Sequence, residues 1–301
     1  LKLGFTHIFV FFDDPGDKDS DIIKIFSNVT AIPCDEALHF QQKYMGQLYD
    51  QHAPYIQNTV MSRQILNLET GIQLALDMDM DWILHIDVDE LFYWSQGSVA
   101  DYFSSIPPEV EQVMFSPLEG APESFEMIDY FQEVTLFKQN FRFLKNQDLS
   151  PYFQTYPRKW YFLGYENGKS AARLKHNLLP AGVHSFQYGS GGEVYPATAF
   201  VQDPCILHYI NCGFSFYQRK YNHRGAFDDK WWGKKPVQQT FSLASRDAFI
   251  AGDPGALEKL YREYVLFDKV DENQYLQEIG ILLRIDFPRR LLTDSKPSLE
   301  L

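Results

Sequence analysis

The segment Trp82-Ile83-Leu84-His85-Ile86-Asp87-Val88-Asp89-Glu90-Leu91-Phe92 limits what this chain can fold into more than any other stretch. Its first five residues are short, apolar and rich in β-formers, as in a strand buried in a sheet. Such a strand delivers Asp87, Asp89 and Glu90 together to its carboxyl edge. Three acids at one edge are costly to bury without a cation. Hard oxygen ligands suit Mg2+ or Mn2+, which take one or two carboxylates and complete their shell with phosphate oxygens and water. A metal on Asp87 and Asp89 that bridges substrate phosphates is the chemistry the pattern points to, and a solvated acidic turn is the plainer alternative.

The flanking sequence frames that strand. Residues 5–12 form another apolar run, expected to be a fully buried strand broken by Asp13-Asp14-Pro15-Gly16. A helix over 18–27, a strand over 29–33 and a less regular stretch over 34–55 follow. Asn58 or Thr59 then caps a long helix to residue 78, whose inward stripe is Ile65, Leu66, Leu68, Ile72, Ala75 and Leu76. The order β-α-β-α-β predicts an α/β fold with a mostly parallel, Rossmann-like sheet flanked by helices, and ligands at the carboxyl ends of its strands. Beyond a short helix over 98–103 and a strand over 113–115, residues 120–165 are aromatic and irregular, Tyr152 and Trp160 included, as binding loops are. The tail from Phe241 reads as helical, with helices from Asp253-Pro254 to Leu266 and over 272–283. No repeat or Gly/Ser-rich linker divides the chain, so a single domain is expected.

With 27 basic against 40 acidic residues the net charge is −13. That balance argues against nucleic acid or an anionic membrane surface as partner, and an anionic ligand has to be met by a metal or a local basic cluster. The cysteines Cys34, Cys205 and Cys212 are too few for a disulfide scaffold and read as buried thiols, with a Cys205–Cys212 bridge left open. No apolar run is long enough to span a bilayer. The chain opens on Leu1 directly before a strand, and so reads as a fragment; a membrane anchor upstream is compatible with it. A Golgi or secretory lumen and a cytoplasmic or membrane-associated setting both fit.

Three groups of residues carry a resemblance. They are Leu3-Gly4-Phe5-Thr6-His7-Ile8-Phe9-Val10 with Asp13-Asp14-Pro15-Gly16, the Asp81 to Phe92 segment, and the downstream Asn167-Gly168-Lys169-Ser170-Ala171-Ala172-Arg173, Gly182-Val183-His184-Ser185-Phe186 and Ile206-Leu207-His208-Tyr209. In order and spacing they are similar to glycosyltransferases of families 2 and 92, over residues 1–225. The resemblance implies a GT-A fold over 1–225 that lacks its first strand, with 226–301 as a C-terminal helical extension of the same domain. It implies a transferase of the hexosyltransferase type that moves a sugar from a UDP- or GDP-sugar to a glycan or other hydroxyl acceptor, with inversion and with Mn2+ or Mg2+.

Carried over by position, Asp87, Asp89 and His208 would hold the metal. Asp13, Asp14, Asp87, Lys169, Arg173 and His184 would contact the donor. For Lys169 and Arg173, in an apparent loop, a solvated surface charge is the plain reading; for His184 and His208 it is a hydrogen-bonded histidine at a strand edge. An inverting transferase also needs a base. Glu119, Glu123, Glu126, Asp129 and Glu133 are the candidates, Asp129 first and Glu133 second. Two other functions fit the same residues: a haloacid-dehalogenase-like phosphatase or phosphotransferase using Asp87 as nucleophile, and a non-catalytic sugar-binding module.

Overall fold

A computed structural model describes residues 1–144, 161–189, 194–232 and 235–293, so Tyr152 and Trp160 lie outside the described residues. The chain is mixed α/β, with parallel and antiparallel strand pairs. Two compact units alternate along it: residues 1–85, 94–115 and 169–201 form one, and 86–93, 116–168 and 202–301 the other.

In the first unit, strands Ile8–Phe12 and Val29–Pro33 pair in parallel, Ile8 opposite Val29 and Phe12 opposite Pro33. The Ile8–Phe12 strand is half-buried along its length, not fully buried as its apolar run predicted. The helix read over 18–27 is shorter, Asp19–Ile23. The stretch 34–55, read as irregular, holds a helix over Glu36–Met45, with the Asp35 carboxylate capping it by accepting the Leu38 N–H at 3.0 Å. Its period is hard to see because Phe40, Tyr44 and Met45 face solvent. The long helix is Val60–Asp77, and Ile65, Leu66, Leu68, Ile72 and Ala75 are buried on it. The helix packs on the first strand at Gly71, where a Cβ would meet the Phe11 ring at 3.7 Å, an ordinary van der Waals contact.

The mostly parallel sheet does not extend past that first pair. Trp82–Leu84 pairs antiparallel with Lys169–Arg173, which pairs antiparallel with the start of the Gln112–Gly120 strand. Lys169–Arg173, read as a loop, is thus a strand buried along most of its length. Its Lys-Ser-Ala-Ala-Arg sequence has no β-branched or aromatic residue to mark it, because burial among close neighbours selects small side chains here over β-propensity.

The second unit orders its strands Leu282–Arg284, Leu136–Lys138, the end of Gln112–Gly120, Thr198–His208 and Glu90–Tyr93. Every register known within it is antiparallel. The helix expected over 272–283 stops at Glu278, and Gly280, at φ +73°, turns the chain into the edge strand Leu282–Arg284. A glycine past a helix end is the usual stop signal. Helices Phe214–Arg224, Thr240–Ile250 and Pro254–Leu260, the last running into a π-helical turn over Tyr261–Val265, enclose a core of Phe214, Tyr217, Tyr221, Phe241 and Tyr261. Two of the tyrosine hydroxyls are bonded: that of Tyr217 donates to Ser245 Oγ at 2.7 Å, and that of Tyr261 accepts the Gly213 N–H at 2.9 Å. All three cysteines are buried free thiols.

Candidate functional site

The acidic turn is built from its own backbone outward. Glu90 N–H donates to the Asp87 carbonyl at 3.1 Å, and Asp87 N–H donates back to Glu90 Oε2 at 2.8 Å. Glu90 is 2 % exposed and its other oxygen accepts the Tyr165 hydroxyl at 2.6 Å. The third acid of the Asp-x-Asp-Glu pattern therefore braces the turn, while Val88 at its tip is 85 % exposed. Burial and then the Glu90 charge push the Tyr165 phenol well above its ordinary pKa, so it stays a donor.

Strand pairing brings the second element. Glu90 lies opposite His208, and the Tyr209 N–H donates to the Asp89 carbonyl at 2.8 Å. His208 Nε2 is then 3.9 Å from Asp89 Oδ2, and the Tyr165 ring stacks on the imidazole with centroids 5.0 Å apart. His208 Nδ1 is buried without a partner among the described residues. Gly164 permits this packing, since a Cβ there would lie 3.0 Å from His208 Nδ1 and 3.2 Å from Glu119 Oε2.

A third element supplies the charge. Lys220, on the Phe214–Arg224 helix, donates from Nζ to Asp89 Oδ2 at 2.9 Å. Burial works against a charged Asp89, but the Lys220 ammonium and then His208 outweigh it and hold the carboxyl well below its usual range. Burial likewise opposes the charge on Lys220, and Asp89 reverses the balance and raises its pKa. The sequence pattern assigns Lys220 no role. The available signal was a cation beside the buried helix stripe Phe214, Tyr217 and Tyr221.

Beneath the site, the wholly buried Glu119 pairs with the buried Lys138 ammonium through one oxygen. Its other oxygen accepts the N–H groups of Leu163 at 2.8 Å and Gly164 at 2.6 Å. This pair fixes the segment that presents Tyr165.

Of the residues singled out from sequence, the structure brings Asp89 and His208 together, with Asp87 on the same turn. Asp129 and Glu133 form a reciprocal helix cap: Asp129 accepts from Phe131 N–H at 3.0 Å and Gln132 N–H at 3.3 Å, and Glu133 accepts from Ile128 and Asp129 N–H at 2.7 Å each. Asp13, Asp14, Lys169, Arg173 and His184 belong to the first unit. There Asp13 is held by both ends of the Arg63 fork at 2.6 and 2.8 Å, and Asp14 accepts the Gly16 N–H of its own turn at 2.8 Å. Lys169 is fully buried with Nζ 3.4 Å from the Val183 carbonyl, and the His184 carbonyl accepts the Ser170 hydroxyl at 2.7 Å. Arg173 stacks over Trp82 at 4.4 Å and donates to the Val110 and Ile106 carbonyls at 3.0 and 2.9 Å.

A Mn2+ or Mg2+ ion asks for an oxygen-rich shell. Among the described residues no group of three His, Cys, Asp or Glu side chains is placed to hold one. The carboxylate that would anchor it already faces an ammonium. As arranged, the ammonium on Asp89 stands against a divalent ion at that carboxylate.

No family model matches the chain. Two Arabidopsis thaliana proteins named glycosyltransferase-like are similar to it. One is 33 % identical over 246 residues, 77 % of this chain and 52 % of the relative; the other is 31 % identical over 244 residues, 77 % and 46 %. The chain spans about half the length of the curated relatives it matches. The likeness supports a glycosyltransferase family. The mixed α/β architecture is compatible with that class, and the phosphatase alternative is not favoured.

Proposed function

We propose that this chain moves a sugar from a nucleotide-sugar donor to a hydroxyl on a glycan or other acceptor, on a GT-A-like scaffold and with inversion. The observation that carries the reading is the convergence of Asp89, His208 and Lys220, braced by Glu90 and Tyr165. In such a reaction the acceptor oxygen bonds the anomeric carbon as the bond to the diphosphate oxygen breaks. Negative charge grows on the leaving diphosphate, and fixed donors aimed at it lower the barrier without reorganising. A half-buried ammonium and an imidazole suit that task, and the braced turn holds them in place.

The test is a panel of UDP- and GDP-sugars screened against the chain for thermal stabilisation and hydrolysis, with and without Mn2+. One donor is expected to raise the melting temperature and to be turned over, and Asp89→Asn should remove both effects. Silence from every donor would overturn the transferase reading. A phosphate trapped on the Asp87 carboxylate would replace it with the phosphotransferase.

A further inference from the structure

Resting on that reading, we infer that the cation facing the donor's diphosphate is the Lys220 ammonium, standing where a divalent metal would otherwise sit. Three observations lead there.

The first is position. Lys220 Nζ lies 2.9 Å from Asp89 Oδ2, and the two side chains keep 29 % and 21 % exposure, so the pair is reached from solvent on one side. An ammonium has three N–H donors and Asp89 takes one, which leaves the group able to bond a phosphate oxygen without giving up Asp89.

The second is rigidity. A surface lysine is mobile, but this one lies on a helix whose Tyr217 and Tyr221 are 0 % and 1 % exposed. The residue before that helix, Gly213, is tied by its N–H to the Tyr261 hydroxyl. The ammonium is therefore presented from a fixed element, as electrostatic stabilisation of a leaving group requires.

The third is electrostatic. An ion bound to Asp89 would sit against the Lys220 ammonium, 2.9 Å from Asp89 Oδ2, and be repelled by it. A chain of net charge −13 must still supply a local cation to an anionic donor, and Lys220 is one already paired at the site.

The step balances without a further reactant. The bond between the anomeric carbon and the diphosphate oxygen breaks with its electron pair on that oxygen. The acceptor oxygen forms the new bond, and its proton leaves to a carboxylate or water. Lys220 donates hydrogen bonds to the departing diphosphate and transfers no proton.

The test uses the whole chain and two independent readouts. Mn2+ titrated into the wild type, Asp89→Asn and Lys220→Met, followed by electron paramagnetic resonance, should show no stoichiometric site below millimolar concentration in any of them. Turnover of the donor found in the sugar panel should change less than twofold on adding EDTA. Lys220→Met, which keeps the apolar stem, should lower kcat at least a hundredfold with no rescue by Mn2+, and Lys220→Arg should recover part of it. A Mn2+ site in the wild type that Asp89→Asn removes would overturn the inference. So would turnover silenced by EDTA and restored by Mn2+, or a Lys220→Met variant as active as the wild type. If no donor is turned over, the transferase reading fails by itself, while the Mn2+ titration still decides which cation serves Asp89.

Discussion

At the scale of single residues, the site depends on charges that lie far apart in sequence. Asp89 and Lys220 each have a pKa displaced toward the charged form. The folded value of Asp89 is depressed, so its contribution to stability is whole above the unfolded aspartate value of about 4 and is lost as pH falls through the folded value. The folded value of Lys220 is raised, so its share is whole below about 10.4 and is lost as pH rises past the folded value. The stability difference between wild type and Asp89→Asn in urea unfolding should therefore be level between about pH 5 and 9, at about 1–3 kcal/mol, and shrink at both extremes. A difference that grows on acidification would refute the pairing. Glu119 and Lys138, at 0 % and 1 % side-chain exposure, form a harder case. Glu119→Ala strands a buried ammonium and should cost about 3–5 kcal/mol. Adding Lys138→Met should recover part of that loss, because no unpaired charge remains. Recovery should be incomplete, since the Leu163 and Gly164 N–H groups have lost their acceptor. A double variant no more stable than Glu119→Ala would show that the pair carries no such coupling. Neither pairing was legible in the sequence: Glu119 stood among five candidate acids, behind Asp129 and Glu133, and Lys220 meets Asp89 across 131 positions.

At the scale of elements, legibility followed hydrophobic contrast. The Val60–Asp77 helix and the Trp82–Leu84 strand carry their pattern in their own residues and were read nearly in place. The Lys169–Arg173 strand was missed because it pairs on both sides through the small, weakly β-forming Ser170, Ala171 and Ala172, set between two cations that suggest a loop. The edge strand Leu282–Arg284 was absorbed into a helix, although Gly280 marked the stop. The short Tyr130–Glu133 helix shows how an acid that attracts a catalytic reading can have a structural task. Asn caps helices about as well as Asp, whereas Ala forfeits about 0.5–2 kcal/mol. Asp129→Ala is therefore expected to lower stability by that amount, and Asp129→Asn to leave the unfolding midpoint nearly unchanged. The same pair of variants separates the cap from a base. If Asp129 removes the acceptor's proton, Asp129→Asn loses about 10²–10⁴ in kcat at unchanged stability. An equal loss of stability in both variants would count against the cap.

At the scale of the whole molecule, the acidic balance decided what could be excluded, and it also bears on how a donor arrives. The net charge of −13 opposes any anion at long range, while Lys220 acts only at contact. The two regimes separate by ionic strength: the screening length is about 30 Å at 0.01 M and about 8 Å at 0.15 M. At low salt an approaching nucleotide sugar feels the summed repulsion of the protein, and at physiological salt it feels little beyond the groups beside it. The second-order rate of donor binding, followed by stopped-flow fluorescence, should thus rise severalfold as salt increases over that range. The dissociation rate should change much less, because the contacts that hold the bound diphosphate are shielded in the half-buried site. A binding rate that falls with salt would mean that a basic funnel, and not the net charge, governs approach. Such a funnel would have to be built from the lysines and arginines around the Asp89 turn that composition averages away.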